Sequence, residues 1–361
     1  LSTCPSLLIT AWAATAPAAA AQDETPALDL SASANVVGQA TGESSIRSEV
    51  VGSLDLFADV RLSSLRLHVY VEANSSPRDN GVSSAIPFAN MDAGTALGAD
   101  GHGRVQLSEL RLAWPFRERA ELHVGLIDLT GYLDVSRIAN DENLFFLGQP
   151  FVNNPTILFP DYTLGATLVL GVPQVPQGRI ALAVAGSHGL ADNPEASYGE
   201  LLDLDAPDKG VFLAGRFRWE AEGWEGAVGA WTSTARRVTE TPVRPLPDLG
   251  VYSVLGISSE VHSLNARVGL AHGDGGTEPF LGLTYLGTLS DNAFGLGLAK
   301  TPALPSFVDR SAEHLEAFVR RSVWGAVFLT SSVQWLSESL LPEGAVDGGV
   351  WIFGFRLSAA L

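Results

Sequence analysis

Residues 125–160 read GLIDLTGYLDVSRIANDENLFFLGQPFVNNPTILFP. The stretch opens as the end of a β-strand. Leu122, Val124 and Leu126 alternate with Glu121, His123 and Gly125, the two-residue period of a sheet with one apolar face. It then abandons that period for a long excursion carrying Asn140-Asp141-Glu142 and Phe151-Val152-Asn153-Asn154-Pro155. The apolar pieces Leu144-Phe145-Phe146-Leu147 and Phe151-Val152 are out of place on a loop standing in water, because exposed apolar patches are avoided. Packing against an inner wall would bury them.

The chain on either side supplies such a wall. From Ala27 onward it breaks into roughly sixteen alternating segments separated by turn-rich stretches. They fall near 27–38, 48–58, 63–73, 104–114, 119–128, 164–172, 179–188, 210–220, 223–232, 250–259, 262–271, 279–287, 292–300, 312–321, 325–335 and 349–361. Long connections follow odd-numbered segments (74–103, 129–162, 189–209, 233–249, 301–311, 336–348) and short ones follow even-numbered segments. Membrane barrels have this asymmetry, with short turns at one rim and long loops at the other. A soluble sandwich has no reason to keep that parity along the whole chain. The predicted fold is therefore all-β: a transmembrane antiparallel barrel of about sixteen strands over residues 22–361. The apolar face of each strand would meet lipid, and barrel closure would satisfy the backbone. Segment 104–114 breaks the alternation, since Leu110, Leu112 and Trp114 are out of phase with Val105 and Leu107. A β-bulge near Ser108-Glu109 would return both sets to one face. The last segment, Gly349–Leu361, puts Trp351, Phe353, Phe355, Leu357 and Ala359 on one side and reads as the closing strand.

Composition agrees. The chain has 361 residues, 37 of them Gly, and a formal net charge of −18. After the N-terminus no apolar run approaches the ~18–20 residues of a membrane-spanning helix. The acidic balance argues against a nucleic-acid partner. Cys4 is the only cysteine, so no internal disulfide forms. Residues 1–21 read as an export signal: an apolar run Leu7–Ala21 ends in Ala18-Ala19-Ala20-Ala21-Gln22, with cleavage expected after Ala21.

Within the opening stretch, Gly125–Asp128, Tyr132–Asp134, Ala139–Glu142 and Phe151–Pro155 stand in the order of a known signature. They resemble the signature region of the carbohydrate-selective porins, the OprB family of outer-membrane channels. The C-terminal Gly354, Arg356 and Leu357 resemble that family's ending, although the chain finishes in Leu361 instead of an aromatic residue. The resemblance implies an outer-membrane porin passing carbohydrates and other small hydrophilic solutes by passive diffusion. It also implies that an external loop folds into the barrel and narrows it. Asp134, Asn140, Asp141, Glu142, Asn153 and Asn154 would then face the pore or brace the loop.

Strand parity turns thirteen charged side chains inward: Arg66, His68, Glu72, Glu109, Arg111, Glu121, His123, Arg179, Arg216, Arg218, Arg267, Glu316 and Arg320. Such a set would give a narrow pore a transverse field and donors for sugar hydroxyls. The bland alternative is that they solvate a wide lumen and pair with one another. No catalytic set is expected. The seven His have no metal-ligand spacing, and G-x-S-x-G is absent, so neither an enzyme nor a cofactor is predicted. The expected partners are small polar solutes, outer-membrane lipid and the barrel-assembly machinery. A monomer and a homo-oligomer are both open. The competing readings are a barrel enzyme of lipase or protease type and a structural barrel with a plugged lumen.

Overall fold

The computed structural model describes residues 27–98, 100–138, 141–175, 177–190, 198–202, 209–235, 248–273, 276–290, 292–302, 312–337 and 348–360. The export segment 1–21, Asn140 and Leu361 lie outside the described residues.

Sixteen antiparallel strands follow one another around one closed barrel. They are β1 (Leu28–Thr41), β2 (Glu49–Leu62), β3 (Leu65–Asn74), β4 (Val105–Arg117), β5 (Ala120–Ile127), β6 (Thr163–Val172), β7 (Gly178–Gly186) and β8 (Val211–Ala221). The second half comprises β9 (Trp224–Ser233), β10 (Leu249–Ser258), β11 (His262–Gly273), β12 (Gly276–Leu289), β13 (Asn292–Thr301), β14 (Ala312–Trp324), β15 (Val327–Leu336) and β16 (Val350–Ala360). β16 is the closing strand: it pairs with β1 from Ser33↔Ala360 to Thr41↔Ile352.

The connection parity holds, with one departure. Tight turns follow β2, β4, β8, β12 and β14, and Ser63, Gly223, Ser290 and Gly325 take the left-handed conformation that such turns need. β11 ends at Gly273 and β12 begins at Gly276, so the link after this odd-numbered strand is short. Pro279 sits inside β12, and Pro115 sits inside β4. Both are close to strand ends, where one missing donor costs the ladder little.

The faces fall as the alternation requires. Leu281, Leu283, Leu296, Leu298, Phe353 and Phe355 are exposed on the outside. Their neighbours Gly282, Thr284, Ala299, Ile352 and Arg356 are turned inward. An apolar belt of this size around a closed barrel is a lipid-facing surface. Aromatic side chains gather toward the belt's edges. Trp114 lies 5.5 Å from Phe116, and Phe217 stacks on Trp219 at 5.7 Å, all near the short-turn rim.

The irregularity in β4 is a bulge. Tyr70 pairs with Glu109 and Val71 with Leu107, so Ser108 is the extra residue. Ser108 and Glu109 both point inward and are buried, whereas Val105, Leu110, Leu112 and Trp114 are exposed on the outer face. One inserted residue thus restores the apolar face along the whole strand. Beyond the bulge, pairing with β5 begins only at Leu110↔Leu126. There Gly125 has φ +145°, and a Cβ on it would meet the Leu110 carbonyl at 2.2 Å. Where β5 does not reach, the Tyr198 hydroxyl bonds both the N–H and the carbonyl of Leu107.

Two long loops fill the interior. The 75–104 loop, with helix α1 (Val82–Ala85), puts Val82, Ile86 and Ala89 against Ala312, Leu336, Val350 and Ile352 of the β14–β16 wall. The 128–162 loop, with α2 (Thr130–Leu133) and α3 (Gln149–Val152), packs on most of the remaining wall.

Candidate functional site

The 128–162 loop lies inside the barrel, so its apolar pieces are buried as their composition demands. Leu129, Leu133, Ile157 and Phe159 pack on Ala183, Ala185, Phe212, Trp231 and Tyr252. Phe145, Phe146 and Phe151 pack on Phe280, Ala293, Ala299 and Phe318. Gly148 permits a close approach, because a Cβ there would lie 2.5 Å from the His314 ring and 2.9 Å from a Glu316 oxygen.

Polar side chains from the wall then fix the loop backbone. Arg216 donates to the carbonyls of Tyr132 (3.1 Å) and Val135 (2.6 Å). Tyr252 donates to that of Leu133 and Trp231 to that of Thr156. Arg267 donates to Pro150 O (2.6 Å) and Val152 O, and pairs with Asp134 at 3.0 Å. Arg320 donates to Leu144 O and Arg356 to Phe145 O, while Glu316 accepts from the N–H groups of Leu147 and Gly148. A loop carbonyl that has left water needs a donor, and a guanidinium supplies several from one side chain. Four inward residues of the sequence reading, Arg216, Arg267, Glu316 and Arg320, therefore face the loop. Asp134, Asp141, Glu142 and Asn154 fall on the same scaffold. Asp134 also accepts from Asn154 N–H at 2.6 Å, and burial pushes its carboxyl up despite the opposing pull of Arg267. Asp141 accepts from Leu144 N–H, the Glu142 carbonyl accepts from Arg356, and the Asn154 side chain accepts from Thr156. Asn153 closes α3 through its N–H on Gln149 O.

The other inward charges meet along β2–β5. His68 Nδ1 is 3.0 Å from Asp59, and its Nε2 is 3.6 Å from Glu109. Glu109 binds Arg111 at 3.0 Å, and Arg111 donates to Nδ1 of His123 at 3.1 Å. His123 lies 3.6 Å from Glu121, which pairs with Arg66. The result is a continuous strip of alternating charge from Asp59 to Arg66. Farther round, Arg218 pairs with Glu220 and Glu225, and Arg179 stands opposite Arg218 in register. Glu72 accepts from Ser108.

The loop's hydrogen bonds to the wall run mainly from β8 round to β16 and β1; toward β2–β5 it sends Tyr132, 5.2 Å from the His123 ring, and Tyr162, 6.1 Å from Tyr70, and His68, Glu109, Arg111 and His123 are buried. Phe57, Asp59 and Tyr70 stay half-buried there and the Arg66 side chain is 52% exposed, whereas Phe212, Arg267, Glu316 and Arg356 are 4% exposed or less. The 75–104 loop adds Asp92 beside this sector, bonded to Ser53, and burial raises its carboxyl to about 6.

Parity would also have found Arg356, which alternates with Trp351, Phe353 and Phe355, and likewise Asp55, Glu225, Trp231 and Tyr252. Asp92 had no signal, because it lies in a loop without period. Among the described residues no His, Cys, Asp and Glu group could hold a metal ion.

This arrangement has close counterparts among solved structures. The fold is that of the outer-membrane porins. Pseudomonas putida OprB is similar with a TM-score of 0.65 over 93% of this chain and 94% of that one, at 12% identity. Salmonella typhi OmpF, solved with daunomycin, gives 0.60 over 92% and 97%, at 10% identity. A mutant of the Rh. blastica porin gives 0.56 over 92% and 99%, at 9% identity. No family model matches the sequence. An uncharacterized protein of Aquifex aeolicus (strain VF5) is 38% identical over 55 residues, which span 15% of this chain and 18% of that relative.

Proposed function

We propose that the protein is an outer-membrane porin through which small hydrophilic solutes, carbohydrates among them, diffuse along the β2–β5 sector. The observation that carries this reading is the 128–162 loop, tied across the lumen by side chains of the opposite wall. A loop so fixed narrows the passage, and the charged strip beside it offers both donors and acceptors to a hydroxylated solute. The passage needs no energy source and no covalent step. The likeness to the carbohydrate-selective porins in the 125–160 stretch points the same way, as does the structural similarity to OprB.

Ion current across a planar bilayer tests the reading. The purified protein should give discrete conductance steps, and deletion of residues 141–154 should enlarge them and weaken discrimination among sugars. A folded deletion variant with the parental step size would place the narrowing elsewhere. A protein that inserts yet never conducts would favour the plugged structural barrel.

The reading includes export. Protein taken from the outer membrane should begin at Gln22 when its N-terminus is sequenced. A mature chain retaining the Leu7–Ala21 run would refute cleavage there.

A further inference from the structure

Resting on the channel reading above, we propose that β2 and β3 carry a stacking subsite for a sugar ring, built on Phe57 and Tyr70. These residues pair directly across the two strands. Their rings stack with centroids 4.4 Å apart and planes 15° apart. Both point into the lumen and both stay half-buried. On the wall elsewhere Phe212, Trp231, Phe280 and Phe318 are each 3% exposed or less, and half-buried Phe328 lies under the Arg320 guanidinium at 5.1 Å. Tyr70 packs on Leu126, Tyr162, Leu190 and Leu201, which leaves Phe57, half-buried and outside the core clusters, to supply the open part of the aromatic face.

What surrounds the pair names the ligand chemistry. Asp55 and Asp59 flank Phe57 at two-residue spacing, so all three project from the same face of β2. Asp55 is held by the Tyr70 hydroxyl at 3.0 Å and by Ser33 at 2.7 Å. Asp59 lies against His68 at 3.0 Å, and its side chain is 46% exposed. An ionised carboxylate accepts about four hydrogen bonds, so Asp59 retains capacity toward a solute, whereas buried Asp55, which also takes a hydrogen bond from Asn143, holds Tyr70 in place. An apolar face with an open acceptor at its edge is the complement of a pyranose, which carries a C–H face rimmed by hydroxyl donors. An open-chain polyol offers the same hydroxyls without a fixed face.

The test compares D-glucose with sorbitol as blockers of ion current through the channel in a planar bilayer. In the wild type, glucose should half-block at a concentration about three- to tenfold below that of sorbitol, the range expected for one aromatic contact. Phe57→Leu keeps the apolar bulk and loses the π face, so the ratio should fall to near one. Phe57→Trp should keep it. Equal block by the two solutes in a conducting wild type would overturn the subsite alone, as would an unchanged ratio in Phe57→Leu. If Phe57→Leu fails to assemble, the wild-type ratio and Phe57→Trp still decide, because a tryptophan that abolishes the preference contradicts stacking. Absence of any wild-type conductance would overturn the channel reading and the subsite with it.

Discussion

Replacing Arg267 with methionine should free the middle of the 128–162 loop and raise single-channel conductance. The same change should cost roughly 3–5 kcal/mol of stability, because removing one partner strands a buried charge. Arg267 is 2% exposed and Asp134 is fully covered, and Asp134 has no other cation within bonding distance among the described residues. The carbonyls of Pro150 and Val152 lose their donor in the same step. The double variant Arg267→Met/Asp134→Asn should recover much of the loss, since asparagine keeps an acceptor for the Asn154 N–H without the stranded charge. Urea unfolding in detergent, read together with conductance, measures both effects. A methionine variant with parental stability and step size would show that the other anchors suffice.

Leu110→Arg tests the opposite face. Leu110 sits mid-strand in β4 and is 43% exposed to the outside. An arginine facing lipid near mid-depth costs about 2–4 kcal/mol, so assembly into liposomes should fall sharply. The position is informative because of the bulge. If Ser108 took a regular place in the ladder instead of bulging, Leu110 would share the phase of Gln106 and turn inward, where an arginine would be tolerated among the carboxylates. Heat-resistant migration on a gel reports the folded fraction. Parental yield from Leu110→Arg would mean that this part of β4 does not meet lipid.

The barrel was legible because its code is local. Each strand states its two faces within a few residues, and even the bulge showed as a phase slip between Leu107 and Leu110. The inward fold of the 128–162 loop was legible for a related reason: Leu144–Leu147 and Phe151-Val152 need cover wherever they go. Parity assigns a side chain to the lumen, but it does not say what fills the lumen. Parity turns Arg216, Arg267 and Arg320 toward the interior, where they are buried, while their acceptors, carbonyls many residues away, carry no side-chain signal. The 75–104 loop was read only as a long connection. Its buried residues Val82, Ile86 and Ala89 are small or widely spaced, and their burial depends on a wall formed by the last strands of the chain.

Asn143 sits over the join where the first and last strands meet. Its side chain bonds Asn35, and its carbonyl accepts from Ser358 at 2.8 Å. Asn35 and Ser358 face each other directly in the β1–β16 ladder, with Arg356 one inward position away holding Phe145. The tip of the loop acts as a staple across the seam. Both halves of its docking surface exist only once the ends of the chain have been brought together, so these contacts wait on the β1–β16 ladder and form late. A barrel that has not closed cannot seat the loop. The seated loop thereby doubles as a record that assembly is complete.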